Sequence, residues 1–145
     1  MLFFVVLAVI SIDQLAKYLV SIYARGGFFI IPQILSLEIH KNPGVAFGLA
    51  LPESTIIILI TITLSSLVWY RYKKRKVEDF GLGNIGFGLI IGGAISNLID
   101  RLRFGYIIDF INLRSWSVFN IADVAIVVGV ILLLWNILFR KPPVK

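Results

Sequence analysis

Four long apolar runs divide this chain, at residues 2–23, 52–70, 82–99 and 121–139. At about 1.5 Å per residue, some 20 helical residues cover the roughly 30 Å hydrocarbon core, so each run predicts a membrane-crossing helix. Asp13, Gln14 and Lys17 interrupt the first run. That run begins without a basic region and lacks a small-residue cleavage site, so it is read as a retained span. Pro52 and Glu53 suit the first turn of the second. The third is rich in glycine, and its Gly88 and Gly92 form a GxxxG pair that lets a neighbouring helix approach closely.

The segments between the runs differ in kind. Residues 25–51 carry Gly26, Gly27, Pro32, Pro43, Gly44 and Gly48, and residues 28–39 mix β-branched and aromatic side chains with partial alternation. Short strands are expected there, on or beside the membrane. Residues 71–76 read RYKKRK and the tail 140–145 reads RKPPVK. Such basic clusters collect on the cytoplasmic side, so the 71–81 loop and both termini are placed inside. Residues 25–51 and 100–120 then face outward. The predicted fold is an all-α integral membrane protein of one domain, with four transmembrane helices and a small outward-facing β-like cradle between helices 1 and 2.

Composition agrees with this reading. Of 145 residues 59% are hydrophobic and 15% charged, at a mean hydropathy of +0.94. A soluble domain of this size has no room to bury so much apolar surface. The net charge of +6 sits mostly in the 71–81 loop and the tail, which points to topology and away from nucleic-acid binding. There is no cysteine and one histidine, His40, so thiol chemistry and a zinc site of Cys and His are excluded. His40, beside Lys41, is read as a surface residue. Trp69, Tyr70, Tyr72, Trp116 and Trp135 are read as interfacial anchors.

The candidate chemistry lies in the outward segments. Asp109 and Asp123 sit at the mouths of the last two apolar runs. A carboxylate at a membrane boundary is costly and marks function by default. Two that converge can share one proton and activate water between them. Asp109 is flanked by Ile107, Ile108, Phe110 and Ile111, so desolvation is expected to raise its pKa into a range suited to acid–base work. Asn120 and Asp123 also make a good helix start, and capping alone is the competing explanation. Gly93, Asn97, Asp100 and Arg101 fall on one helical face. Asn97 lies about one turn inside the span, where an unpaired amide is costly. Asp100 and Arg101 either serve the site or pair with neighbours and cap the span. Asp13 and Lys17, at i and i+4, neutralise each other and support the site. Asn42 opens the turn-rich NPGVAFG loop at residues 42–48 and offers amide donors to a substrate.

Five pieces in order resemble the lipoprotein signal peptidases, the signal peptidase II family of bacterial membrane aspartyl proteases. They are Asp13-Gln14 with Lys17; the NPGVAFG loop; Gly92-Gly93-Ala94 with Asn97, Asp100 and Arg101; Ile108-Asp109-Phe110; and Phe119-Asn120-Ile121-Ala122-Asp123. Ser96 stands where the family often has Gly, Ile108 where it often has Val, and Val124 where it often has Ser. The resemblance implies a catalytic dyad of Asp109 and Asp123. It implies a site lined by Asn42, Gly44, Asn97, Arg101 and Asn120, with Asp13, Lys17 and Asp100 in support. The implied substrate is a diacylglyceryl-modified prolipoprotein, cut before its lipidated cysteine, in the bacterial cytoplasmic membrane near the outer face. No metal, cofactor or nucleic acid is implied; membrane lipids are the other partners, and the chain is expected to act as a monomer. Serine and metal intramembrane proteases are disfavoured by the missing histidine base, GxSG and HExxH, and the presenilin-like type by the missing GxGD. A small proton or cation transporter and a four-helix anchor remain the non-enzymatic alternatives. A transporter would place its carboxylates near the midplane.

Overall fold

The computed structural model describes residues 1–24, 26–44, 52–73, 81–114 and 117–139. Most of the NPGVAFG loop, residues 74–80, Trp116 and the tail 140–145 lie outside the described residues, as do the side chains of Glu53, Tyr70 and Tyr72. In chain order the elements are α1 (Leu2–Tyr23), β1 (Phe28–Ile31), β2 (Leu35–Asn42), α2 (Glu53–Lys73), α3 (Leu82–Phe104), β3 (Ile107–Leu113), β4 (Val118–Phe119) and α4 (Ile121–Phe139). Helix α3 is the centre of the bundle, with α4 against one side and α1 against another.

The helices follow from long, largely apolar sequence, and glycine closes α3. Helix α3 ends where Gly105 takes the left-handed conformation, at φ 77°, and returns its N–H to the Arg101 carbonyl at 2.9 Å. The third run was expected to end at residue 99. The helix instead continues to Phe104, because charge does not stop a helix and Gly105 does. Asp100 and Arg101, expected on one face with Asn97, are buried helical residues.

The four strands form one antiparallel sheet in the order β1-β2-β3-β4. The cradle is therefore not confined to the segment between α1 and α2, since β3 and β4 come from the stretch between α3 and α4. Strand β3 pairs with β2, setting Leu37 opposite Ile111 and His40 opposite Asp109, with a bulge between. Phe110 on β3 packs against Val20 and Ala24 at the end of α1, which fastens the sheet to the bundle.

The distribution of side chains is inverted relative to a soluble protein. Asp13, Lys17, Asn97, Asp100, Arg101 and Asn120 are buried, while Phe4 and Leu138 are 73% and 74% exposed. Apolar side chains outside and charges inside suit a lipid surround. Among the described residues α1 and α3 are long and apolar enough to cross a membrane, and Ile121–Asn136 of α4 is a shorter apolar helical stretch.

Close approach of the helices depends on glycine at their crossings. A Cβ on Gly92 would lie 2.9 Å from Val9 Cβ and 3.1 Å from the Val6 carbonyl oxygen on α1. A Cβ on Gly86 would lie 2.9 Å from the Gly129 carbonyl oxygen on α4. Gly92→Leu must force α1 away from α3, and overpacking of this kind costs about 1–3 kcal/mol. Thermal unfolding in detergent is expected to show a clearly lowered midpoint. An unchanged midpoint would mean that the helices are not held this closely.

Candidate active site

The site grows from a charge cluster shared by α1 and α3. Asp13 and Lys17 are one turn apart on α1, and Lys17 Nζ lies 2.7 Å from Asp13 Oδ2. The same ammonium lies 2.7 Å from Asp100 Oδ2 on α3. All three side chains are at most 3% exposed. Two carboxylates against one ammonium leave an excess negative charge, and buried charge persists only where other donors hold it. Those donors are present. Asp13 accepts from the Ser96 hydroxyl at 2.7 Å and from the Ala122 N–H at 2.9 Å. Asp100 accepts from the Gln14 amide at 2.8 Å and from the Ile108 N–H at 3.1 Å. The cluster thus ties α1 to α3, to the first turn of α4 and to the start of β3.

The first turn of α4 carries the next layer. Asn120 Oδ1 accepts the Asp123 N–H at 2.9 Å, and Asp123 Oδ2 accepts the Asn120 N–H at 3.2 Å. This is a reciprocal capping box, so both residues do cap the helix. Capping uses only part of their capacity. Asp123 Oδ1 accepts from the Asn97 amide at 2.8 Å. Asn120 Nδ2 donates to Asp109 Oδ1 at 2.7 Å and lies 3.1 Å from Asn97 Oδ1. Lys17 Nζ also donates to Asn97 Oδ1, at 3.1 Å. One asparagine, fully buried, therefore joins the two aspartates: its carbonyl meets the backbone of Asp123 and its amide meets the carboxylate of Asp109.

Asp109 reaches the site from β3. Its second oxygen accepts from Asn42 Nδ2 at 2.8 Å. Asn42 Oδ1 meanwhile accepts the Gly44 N–H at 3.1 Å, an Asx turn that fixes the amide's direction. Arg101 holds the same turn from α3, donating to the carbonyl oxygens of Pro43 and Gly44. Burial pushes the Asp109 carboxyl above its ordinary range; the Asn42 and Asn120 amides oppose this, and the charge of Asp123 adds to it.

The structure gathers Asp109, Asp123, Asn42, Asn97, Asn120, Asp13, Lys17 and Asp100 into one hydrogen-bonded network, with Gly44 and Arg101 joined to it through the Asn42 turn. Arg101 was expected to line the site. It is 2% exposed, with its guanidinium on backbone carbonyls. His40 is exposed and 3.6 Å from Glu38 Oε2. Two polar residues gained no role from sequence, Gln14 and Ser96. Gln14 lies three positions before Lys17 and Ser96 four before Asp100, so helical spacing puts both beside the polar face, but nothing in the sequence gives either a partner. Both are drawn in because α1 and α3 cross at these positions.

The signal peptidase (SPase) II family model matches residues 5–139. A lipoprotein signal peptidase of Halothermothrix orenii is 42% identical over 142 residues, covering 94% of this chain and 96% of that protein. A lipoprotein signal peptidase of Moorella thermoacetica is 40% identical over 134 residues, covering 91% of this chain and 89% of that protein. A bacterial membrane enzyme solved by the in meso method at 1.9 Å resolution superposes with a TM-score of 0.81 at 28% identity, over 97% of this chain and 94% of the other.

Proposed function

The chain belongs to the signal peptidase II family, and from that premise we propose that it is an aspartyl endopeptidase of the bacterial cytoplasmic membrane. It removes the signal peptide from diacylglyceryl-modified prolipoproteins by cutting before the lipidated cysteine. The observation that carries the reading is the Asn120 bridge between Asp109 and the Asp123 backbone, which brings two carboxylates from different elements to one place. All four helices cross the membrane, both termini face the cytoplasm, and the sheet lies on the outer side with the dyad near its level. The lipid chains of the substrate stay in the bilayer and enter between helices, and the enzyme works as a monomer.

The dyad holds one proton in its working state. The ionised aspartate takes a proton from a water held between the pair. The protonated one donates a hydrogen bond to the scissile carbonyl oxygen. Water attacks the carbonyl carbon, a tetrahedral intermediate forms, and a carboxyl proton passes to the leaving nitrogen. The peptide bond breaks, leaving a carboxylate on the signal peptide and an amine on the lipidated cysteine. No metal and no covalent intermediate are required. Asn42 and Asn97 each donate an amide hydrogen to one of the two carboxylates, and Arg101 keeps the Asn42 turn in place.

This assignment has a pH signature. Burial raises the Asp109 pKa, so the shared proton persists to higher pH than an ordinary carboxyl would allow. The Asn42 hydrogen bond lowers that pKa, and Asn42→Ala removes it. The alkaline limb of the cleavage profile is expected to move upward in this variant. Its kcat is expected to fall about tenfold, since a hydrogen bond to a charged group contributes about 1.5–3 kcal/mol. A profile that stays in place or moves down would detach Asn42 from the dyad. Folding stability has the same sign for Asp109: its contribution is complete below the ordinary carboxylate range and is lost as pH rises through the raised value.

A further inference from the structure

Ser96 is fully buried where α1, α3 and α4 meet, and its hydroxyl hydrogen points at a carboxylate. It donates to Asp13 Oδ2 at 2.7 Å and accepts from Gln14 Nε2 at 3.1 Å. The incoming Gln14 bond occupies a lone pair, which leaves the O–H directed at Asp13. Asp13 in turn spends its other oxygen on the Ala122 N–H, in the first turn of α4 and next to Asp123.

We propose that Ser96 is a positioning residue for the Asp109–Asp123 dyad, acting through Asp13; this rests on the dyad reading above. Two routes lead from its hydroxyl to Asp123. The first is direct: Ser96 fixes one oxygen of Asp13 so that the other caps the turn that carries Asp123. The second runs through Lys17. Without the hydroxyl, Asp13 draws more of the single ammonium to itself, at the expense of the Lys17 bond to Asn97 Oδ1. Asn97 then loses the anchor that keeps its amide on Asp123 Oδ1. Both routes move the reacting carboxylate by a small displacement and leave the substrate contacts where they are. A misplacement of the order of an ångström is enough to slow chemistry strongly.

The test uses the full-length enzyme in lipid nanodiscs with a diacylglyceryl-modified prolipoprotein. Ser96→Ala, Ser96→Cys and Asp123→Asn are compared with wild type for kcat, KM and melting temperature. Cysteine is somewhat bulkier than serine and only a weak donor, whereas alanine nearly keeps the volume and donates nothing. Both Ser96 variants are expected to lose about tenfold in kcat with KM within about twofold of wild type. Ser96→Cys is expected to melt close to wild type, and it decides the case if Ser96→Ala does not fold. A kcat for a folded Ser96→Cys or Ser96→Ala within twofold of wild type would overturn the proposal, since the hydroxyl would then be dispensable. So would a KM that rises in place of the fall in kcat. Failure of the dyad reading looks different: Asp123→Asn would itself cleave at a rate near wild type.

Discussion

Asp109→Asn and Asp123→Asn are each expected to lose cleavage by about 10⁴-fold while remaining folded. Asparagine keeps the shape of the side chain and removes the proton chemistry. In Asp123→Asn one side-chain oxygen remains to accept either the Asn97 amide or the Asn120 N–H, so the capping turn is weakened and not abolished. In Asp109→Asn one of the two amides on the carboxylate, from Asn42 or Asn120, loses its acceptor. The two losses are not expected to add. Once the shared proton has no second carboxylate, removing the first changes little, so the double variant is expected to match either single one. Single-turnover cleavage measures this directly. Variants that cut at near wild-type rate would reduce Asp109 and Asp123 to a sheet residue and a helix cap.

Lys17→Met is expected to be the most damaging change to stability. It leaves Asp13 and Asp100 buried beside each other with their common cation gone. Removing one partner from a buried ion pair costs about 3–5 kcal/mol, and here two carboxylates are orphaned at once. The variant is expected to unfold in mild detergent at temperatures where wild type persists, and to be recovered in low yield from membranes. Lys17→Met combined with Asp100→Asn is expected to recover part of the loss, because one of the two charges is removed. Thermal unfolding of the single and double variants checks both statements. A single variant that melts like wild type would mean that water or protons reach the cluster freely.

The helices were readable in the sequence because their cause is local. Long apolar runs and the Asn120 cap each act within a few residues. The sheet was readable only in part. Strand β2 showed partial alternation, and β1 β-branched and aromatic residues beside turn residues, whereas Ile107, Asp109 and Phe110 on β3 are buried on both faces, which erases the period-two signal. Asp100 and Arg101 were legible on the helical face of Asn97, but the helix runs beyond the apolar span that ends at residue 99. The geometry sets that end at Gly105. Asp109 and Asp123 stood out as charges in apolar surroundings, and Asn97, Asp13, Lys17 and Asn120 as polar positions in or at the ends of the spans; the family resemblance joined them to the dyad. Gln14 and Ser96 did not stand out. Their partners are more than 80 positions away in sequence, on a crossing helix, and no local pattern encodes such a contact.

The most direct measurement of the central claim is the mass of the peptides released from a diacylglyceryl-modified prolipoprotein by wild-type enzyme and by Asp123→Asn, with unlipidated substrate alongside. The account predicts a wild-type product ending at the residue before the lipidated cysteine, no such product from Asp123→Asn, and little or none from the unlipidated chain. A cut elsewhere, or equal cutting by the two enzymes, would contradict it.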